Sequence, residues 1–216
     1  MDFELAKYID HTLLKPEATP EDIRRLVREA LDHHLYAVCV NPRFVPLVMA
    51  EKGDAPLRVA AVVGFPLGAN ASAVKAAEAA LAVAQGADEI DMVIPLGAAR
   101  AGDNEAVYAD VRAVRKAVPG AVLKVILETG LLTEEEVQQA ARAAIRAGAD
   151  FLKTSTGFGP RGASLEDVRL LRTIAGDAAG VKASGGIRDR KTAWAMIEAG
   201  ANRIGTSSGV RLVTEE

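Results

Sequence analysis

Short apolar runs alternate with longer amphipathic stretches along the whole chain. Runs that can form strands begin near eight positions: Tyr8, Tyr36, Arg58, Ala87, Val122, Phe151, Val181 and Arg203. Successive starts are 22 to 35 residues apart, about the length of one strand followed by one helix. Eight such units in series predict an α/β protein in which residues 1–216 form a single-domain (β/α)8 TIM barrel.

The segments between these runs carry helix signals. Thr19 is followed by Pro20, a pair that is typical of a helix N-terminus. A Gly-Ala-Asp or Gly-Ala-Asn tripeptide stands between a predicted helix and the next strand at three points: 86–88, 148–150 and 200–202. This repeat favours the barrel. An open doubly wound sheet is the alternative, but the sequence has no Gly-x-Gly-x-x-Gly after the first strand and no P-loop.

Composition and charge exclude several classes of partner. The 216 residues are 50% hydrophobic and carry 26 basic and 29 acidic side chains, for a net charge of -3. A chain this apolar can bury a core, and its charge balance gives no reason to expect nucleic acid as a partner. No run approaches 18 apolar residues and the N-terminus has no signal-peptide pattern. We therefore expect no membrane span and a cytoplasmic protein.

Four predicted strands contain a charged residue, although strands of a parallel sheet are normally continuous apolar runs. The charged residues are Asp91, Lys124, Lys153 and Lys182. Side chains alternate along a strand, so Asp91 must face the barrel interior if Ile90 and Met92 pack under the helices. By the same reasoning, the three lysines enter the interior from successive strands.

Three lysines and a carboxylate in one interior are difficult to explain by packing, because a buried lysine is costly unless it is paired or loses its proton. A buried salt-bridge network is the alternative, but with few interior acids it would leave unpaired positive charge. The chemistry that suits the cluster is covalent catalysis by an amine. A lysine attacks a carbonyl only when it is unprotonated, and both burial and a neighbouring cation lower its pKa. A nearby carboxylate can transfer protons during carbon–carbon cleavage.

Glycine-rich loops follow the last three predicted strands, at residues 156–159, 184–188 and 205–209. Barrels that act on phosphorylated substrates commonly bind the phosphate there, on backbone N–H groups and a helix N-terminus. Such turns also end strands without any ligand. Two of them in the usual positions, beside a lysine cluster, favour a phosphate site.

Other polar residues are weaker candidates. Asp10 is a further charge inside a predicted strand, where it is either a solvated strand end or a substrate contact, and we favour the contact. His11, His33 and His34 lack the spacing of a metal-ligand pair, and Cys39 lies in an apolar strand as the single cysteine. We expect Cys39 to be a small buried residue, and we expect neither a metal ion nor another cofactor.

Seven motifs together resemble the deoxyribose-phosphate aldolases, a family of class I aldolases, over essentially the whole chain. They are IDHTLLK at 9–15, VCVNPR at 38–43, GADEIDMV at 86–93, LKVILETG at 123–130, GADFLKTSTG at 148–157, VKASGGIR at 181–188 and RIGTSS at 203–208. The resemblance implies reversible cleavage of 2-deoxy-D-ribose 5-phosphate to acetaldehyde and D-glyceraldehyde 3-phosphate. It also implies a homo-oligomer, either a dimer or a tetramer.

The resemblance also implies a role for individual residues. Lys153 matches the lysine that forms the Schiff base, and Lys182 matches the second lysine, which keeps the first deprotonated. Asp91 matches the acid/base carboxylate, with Lys124 supporting proton transfer. The positions that match the phosphate site are Gly157, Gly185, Gly186, Gly205, Ser207 and Ser208. Phe158 stands where some members carry a lysine, and Arg188 is the obvious nearby cation that could replace it.

Three alternatives stay open at this point. The first is another lysine-dependent phosphosugar aldolase or a transaldolase, which would differ in its substrate profile. The second is a phosphosugar isomerase barrel, which needs a base but no covalent amine. The third is a catalytically silent phosphate-binding protein, although such a protein gains nothing from buried, unpaired cations.

Overall fold

The computed structural model describes residues 1–215, in which eight parallel strands form a closed barrel in chain order. The strands are β1 Ile9–Leu13, β2 Ala37–Val40, β3 Arg58–Val63, β4 Glu89–Val93, β5 Val122–Ile126, β6 Phe151–Lys153, β7 Gly180–Ser184 and β8 Arg203–Thr206. Pairing of β8 with β1 closes the sheet. Each strand begins within two residues of its predicted start, and the predicted TIM barrel is confirmed.

Helices connect the strands and pack around the barrel. Within residues 1–215 they are α1 Phe3–Ala6, α2 Pro20–Asp32, α3 Val45–Lys52, α4 Ser72–Ala84, α5 Leu96–Arg100, α6 Asn104–Ala117, α7 Glu134–Ala147, α8 Leu165–Ala175, α9 Arg190–Glu198 and α10 Gly209–Thr214. Thr19 and Thr133 begin α2 and α7 with complete capping boxes, which satisfy N–H groups that have no partner inside the helix. None of the helices in this part of the chain has the length and hydropathy that a membrane span needs.

Successive side chains of each strand point to opposite faces of the sheet, so one apolar cluster lies outside the barrel and another lies inside it. Ile90, Met92 and Leu123 belong to the large cluster that packs between the sheet and the helices. A much smaller apolar cluster faces the barrel interior and consists of Leu14, Cys39, Ala60 and Val62. Cys39 is therefore buried as expected, and it lies on the same side of the sheet as the predicted lysine cluster. The apolar inner cluster occupies only part of the interior, and charged side chains occupy much of the rest.

A fourth buried lysine lies outside the barrel interior. Lys75 on α4 is fully buried, and its Nζ donates to Asp110 Oδ2 and to the carbonyl of Val93, both at 2.8 Å. Asp110, on α6, also accepts a 2.6 Å hydrogen bond from Ser72. Lys75 thus connects α4 to α6 and to the end of β4, two residues beyond Asp91. The sequence analysis did not identify this lysine, because nothing in the alanine-rich helix marks it as buried.

We predict that Lys75→Met lowers the free energy of unfolding by about 3–5 kcal/mol, because it leaves the Asp110 carboxylate buried without a cation. Denaturant unfolding measures the change. Arg58→Met is the matched control, since Arg58 forms a 2.9 Å pair with Asp88 but is more than half exposed. Exposed pairs contribute up to about 1 kcal/mol. Equal losses in the two variants would contradict the structural role given to Lys75.

Candidate active site

The three predicted interior lysines meet at one carboxylate. Asp91 Oδ1 lies 2.7 Å from Lys124 Nζ, and Asp91 Oδ2 lies 2.8 Å from both Lys153 Nζ and Lys182 Nζ. The four side chains come from the neighbouring strands β4 to β7, and strand register places Asp91 beside Lys124 and Lys153 beside Lys182. All four are buried. They meet where the alternation argument placed them, while their catalytic roles stay predictions.

The interior also holds charged residues that the sequence analysis missed. Glu89 on β4 lies 2.5 Å from Lys124 Nζ and 3.2 Å from Arg203 Nη1. The guanidinium of Arg203, on β8, stacks on the Tyr36 ring at 3.8 Å. The expectation of few interior acids was therefore wrong. A signal was present, because Glu89 stands two residues before Asp91 and so points to the same face of β4.

Asp10 is fully buried and is not a solvated strand end. Its carboxylate accepts from Lys182 Nζ at 2.5 Å and from Arg203 Nη1 at 2.9 Å. Asp10 does not line the cavity described below. These contacts make Asp10 a partner of Lys182 and Arg203, and its expected contact with substrate stays a prediction.

The interior charges do not balance when every group is ionised. Four cations face three carboxylates: Lys124, Lys153, Lys182 and Arg203 against Asp10, Glu89 and Asp91. One positive charge is in excess, and loss of one lysine proton removes it. Among residues 1–215, Lys153 pairs with Asp91 alone, whereas Lys124 and Lys182 each pair with more than one carboxylate. Lys153 is therefore the least costly lysine to deprotonate.

The pKa shifts of the lysines agree with this charge balance. Burial lowers the pKa of Lys153, and the positive charge of Lys182 lowers it further against the opposing effect of Asp91. Burial also acts on Lys182, but Asp10 and Asp91 outweigh it and raise the pKa of Lys182. Burial would raise the pKa of Asp91, yet the surrounding lysines hold it well below its usual range. The site thus combines an amine whose neutral form its surroundings favour, a persistent ammonium and a carboxylate.

A cavity of about 230 Å³ opens at the C-terminal ends of the strands, and Lys153 lines it. Six predicted phosphate-site residues also line it: Gly157, Gly185, Gly186, Arg188, Gly205 and Ser207. Ser208 does not, and its N–H donates to Thr206 Oγ1 at 3.0 Å. Thr156, in the predicted loop at 156–159, also lines the cavity, and so does Lys15, which was not predicted as a site residue. The strand ends therefore place the reactive amine and the glycine-rich loops around one opening.

The structure explains why glycine is required at two of these positions. Gly185 has φ of +87°, a left-handed conformation that side chains disfavour. At Gly205 the reason is space, because a Cβ there would lie 2.9 Å from Lys182 Cε. A side chain at residue 205 would displace the ammonium that stands next to Lys153. Gly205 thus shapes the lysine cluster as well as the cavity.

The loop after β6 is hydrogen-bonded to a buried carboxylate, and an aromatic side chain of this loop packs against a second aromatic ring. Glu128 has φ of +54°, which is unusual for a residue other than glycine, and its carboxylate accepts from the backbone N–H and the hydroxyl of Thr156. Phe158 packs edge-on against Phe65, with ring centroids 5.4 Å apart. The side chain at 158 therefore supplies an apolar wall rather than a cation. Glu128 was noticed only as part of a family motif.

In the part of the chain that the structure describes, no three His, Cys, Asp or Glu side chains are grouped so that they could hold a metal ion. His11 is instead hydrogen-bonded to Glu29, with Nε2 and Oε2 2.8 Å apart. The expected absence of a metal and a cofactor stays a prediction. The groups that the site offers for chemistry are those of the chain itself: an amine, an ammonium and a carboxylate.

The fold and this arrangement define a (β/α)8 barrel of the aldolase class, in which a buried amine can form a Schiff base. The profile of the DeoC/LacD family aldolases matches residues 5–212. The chain belongs to this family. The resemblance predicted from the sequence motifs is confirmed, and with it the assignment of the chain as an aldolase, a lyase.

Individual relatives are similar over nearly their full lengths. A protein of Thermus thermophilus named deoxyribose-phosphate aldolase is 62% identical over 99% of this chain and 97% of its own length. One of Deinococcus radiodurans with the same name is 58% identical over 97% and 96%. Among solved structures, an aldolase called QR15 has a TM-score of 0.94 at 47% identity, covering 98% of this chain and 95% of its own. The deoxyribose phosphate aldolase of Aeropyrum pernix has a TM-score of 0.91 at 40% identity, covering 98% and 90%.

We predict that Lys182→Leu leaves a slow enzyme whose activity rises at higher pH. The substitution removes the cation beside Lys153, so the pKa of Lys153 rises and less of the amine is neutral at pH 7. The pH profile of kcat/KM measures this as a shift of the acid limb to higher pH. Lys116→Leu, at an exposed lysine on α6, is the control with an unaltered profile. An unchanged profile in Lys182→Leu would rule out the electrostatic role.

Proposed function

We propose that this chain reversibly cleaves 2-deoxy-D-ribose 5-phosphate to acetaldehyde and D-glyceraldehyde 3-phosphate through a Schiff base on Lys153. One observation carries the proposal. Lys153 lies among the charged side chains of the interior, has one carboxylate partner there, and lines the open cavity. Relatives that carry the name deoxyribose-phosphate aldolase support the choice of substrate. A glycine-rich rim suited to a phosphate supports it as well.

The first step forms the covalent bond. The neutral Nζ of Lys153 attacks the C1 aldehyde of the open-chain sugar, and loss of water from the resulting carbinolamine gives an iminium. Lys182 keeps its proton throughout, because Asp10 and Asp91 both contact it. Its positive charge favours the neutral form of Lys153 before the attack.

The second step breaks the bond between C2 and C3. Asp91, acting through a water molecule, accepts the proton of the C3 hydroxyl as that carbon becomes the aldehyde of glyceraldehyde 3-phosphate. The electron pair of the broken bond moves into the iminium and leaves an enamine of acetaldehyde on Lys153. Returning the proton to C2 regenerates an iminium, which water hydrolyses to acetaldehyde and free Lys153. The 2.8 Å distance between Asp91 Oδ2 and Lys153 Nζ supports this role for Asp91.

The cavity rim is suited to bind the phosphate at the far end of the sugar. Backbone N–H groups of a glycine-rich loop can approach a phosphate closely because no side chain intervenes. The loops after β7 and β8 provide such groups around Gly186 and Ser207, and Arg188 adds a charge. Binding the phosphate at the rim would direct C1 of the sugar towards Lys153, inside the barrel.

We predict that treatment with acetaldehyde and borohydride adds one ethyl group irreversibly to Lys153. Lys124 and Lys182 are internal controls, because their carboxylate partners keep them protonated. Peptide mass spectrometry locates the label, and Lys153→Met should show none. A label on another lysine, or no label, would contradict the assignment. Assays with other phosphosugars would separate a different lysine-dependent aldolase or transaldolase, which would give the same adduct.

We further propose that the enzyme is a homo-oligomer. The Aeropyrum pernix relative is described as tetrameric. On α4 of this chain, Val74 and Leu81 stand seven residues apart on one helix face, and both are exposed. Exposed apolar residues on one face are typical of surfaces covered by another subunit. Light scattering after size-exclusion chromatography should give two or four times the mass of the chain, and a monomer mass would contradict the proposal.

The cytoplasm is the compartment that we propose. Cys39 is the only cysteine of the chain, and it is a buried free thiol. A fold that uses no disulfide suits a reducing compartment. The proposed substrate and one of its two products, D-glyceraldehyde 3-phosphate, are phosphorylated small molecules, and the enzyme must share a compartment with them.

A further inference from the structure

Lys15 is a cation at the cavity rim that neither the charge network nor the proposed mechanism uses. It lies between β1 and α2, lines the cavity, and has an exposed side chain. Its neighbouring backbone is fixed, since the carbonyl of Leu14 accepts from Asn41 Nδ2 at 3.3 Å and that of Lys15 accepts from the Ala18 N–H at 3.1 Å. Among residues 1–215 no side chain pairs with its ammonium. A free positive charge thus stands on a well-defined segment at the entrance.

Barrel order places Lys15 across the proposed phosphate loops from Arg188. The closed sheet has the order β7, β8, β1 at this point, so the loop after β8 lies between the loop that carries Arg188 and the segment that carries Lys15. Both cations line the cavity. An anion bound to the loop after β8, near Ser207, would therefore lie between two positive side chains.

The loop after β6 supplies no such charge to the cavity, because its Arg161 pairs with Asp167 and does not line the cavity. Phe158 occupies the rim there and packs against Phe65. Lys153, the third cation in the described lining, is paired with Asp91 in the interior. A phosphate monoester carries close to two negative charges at neutral pH, and Arg188 alone matches one of them. The second negative charge needs another cation, and Lys15 provides one on the β1 side of the rim.

We propose that Lys15 is a specificity-determining residue, whose ammonium binds the phosphate of the substrate across the loop after β8 from Arg188. This inference rests on the proposed function for the identity of the sugar. It goes further by naming Lys15 as the side chain that distinguishes the phosphorylated sugar from the unphosphorylated one. A lysine suits this position because its flexible stem brings a point charge to the phosphate without fixing one geometry.

The test compares Lys15→Met, Lys15→Arg and Lys116→Met, with 2-deoxyribose 5-phosphate and 2-deoxyribose as substrates. Lys15→Met should raise the KM for the phosphorylated sugar about tenfold, the size expected for a lost hydrogen bond to a charged group, with a much smaller change in kcat. Lys15→Arg keeps the charge and should restore most of the affinity. Lys116→Met removes an exposed lysine on α6, away from the rim, and should behave like the unaltered chain.

The decisive quantity is the ratio of kcat/KM for the phosphorylated sugar to that for 2-deoxyribose, which should fall about tenfold in Lys15→Met. An unchanged ratio would overturn the inference, and so would an equal loss on both sugars, which indicates a general effect on the β1–α2 segment. Calorimetry with inorganic phosphate gives a readout that does not depend on turnover. If the unaltered chain does not cleave the sugar phosphate, the proposed function fails. Loss of phosphate affinity in Lys15→Met would still support the role of Lys15, and unaltered affinity would reject it.

Discussion

The structure depends on one constraint: several charged side chains are buried together in the barrel interior. Asp91 is the centre of this arrangement because its two oxygens contact all three interior lysines. Such a cluster is stable only if its charges nearly cancel, and the cations exceed the carboxylates by one. The least partnered lysine can remove the excess by losing its proton. The same constraint that makes the cluster costly to bury thus favours the neutral amine form of Lys153.

The barrel separates the charged cluster from the cavity rim. The cluster is centred on β4 to β7, where neighbouring strands hold the side chains in register. The cavity rim is built from the segments that follow the strands, whose sequence is free to vary without disturbing the interior. Gly205 connects the two parts, because its missing side chain gives Lys182 room beneath the rim.

Much of the fold and the centre of the site could be predicted because both depend on local rules. Strand length, capping and alternation determine where Lys124 or Lys153 points. Glu89 obeys the same alternation, two residues before Asp91 on β4, so its place in the interior was also predictable from the sequence. Lys75 could not be predicted, because its burial depends on how α4 meets α6. The position of Lys15 at the cavity rim also needed the structure, because only closure of the barrel brings β1 next to β8.

The most direct measurement of the central claim is the titration of the lysines themselves. Lysine labelled with ¹³C at Cε reports the protonation of each amine by NMR, and Lys153→Met identifies its signal. The account predicts that Lys153 loses its proton at a pH below about 10.4, the reference pKa of an exposed lysine, while Lys182 remains protonated at and above that pH. Titration of Lys153 together with the exposed lysines, or loss of the Lys182 proton first, would contradict the account.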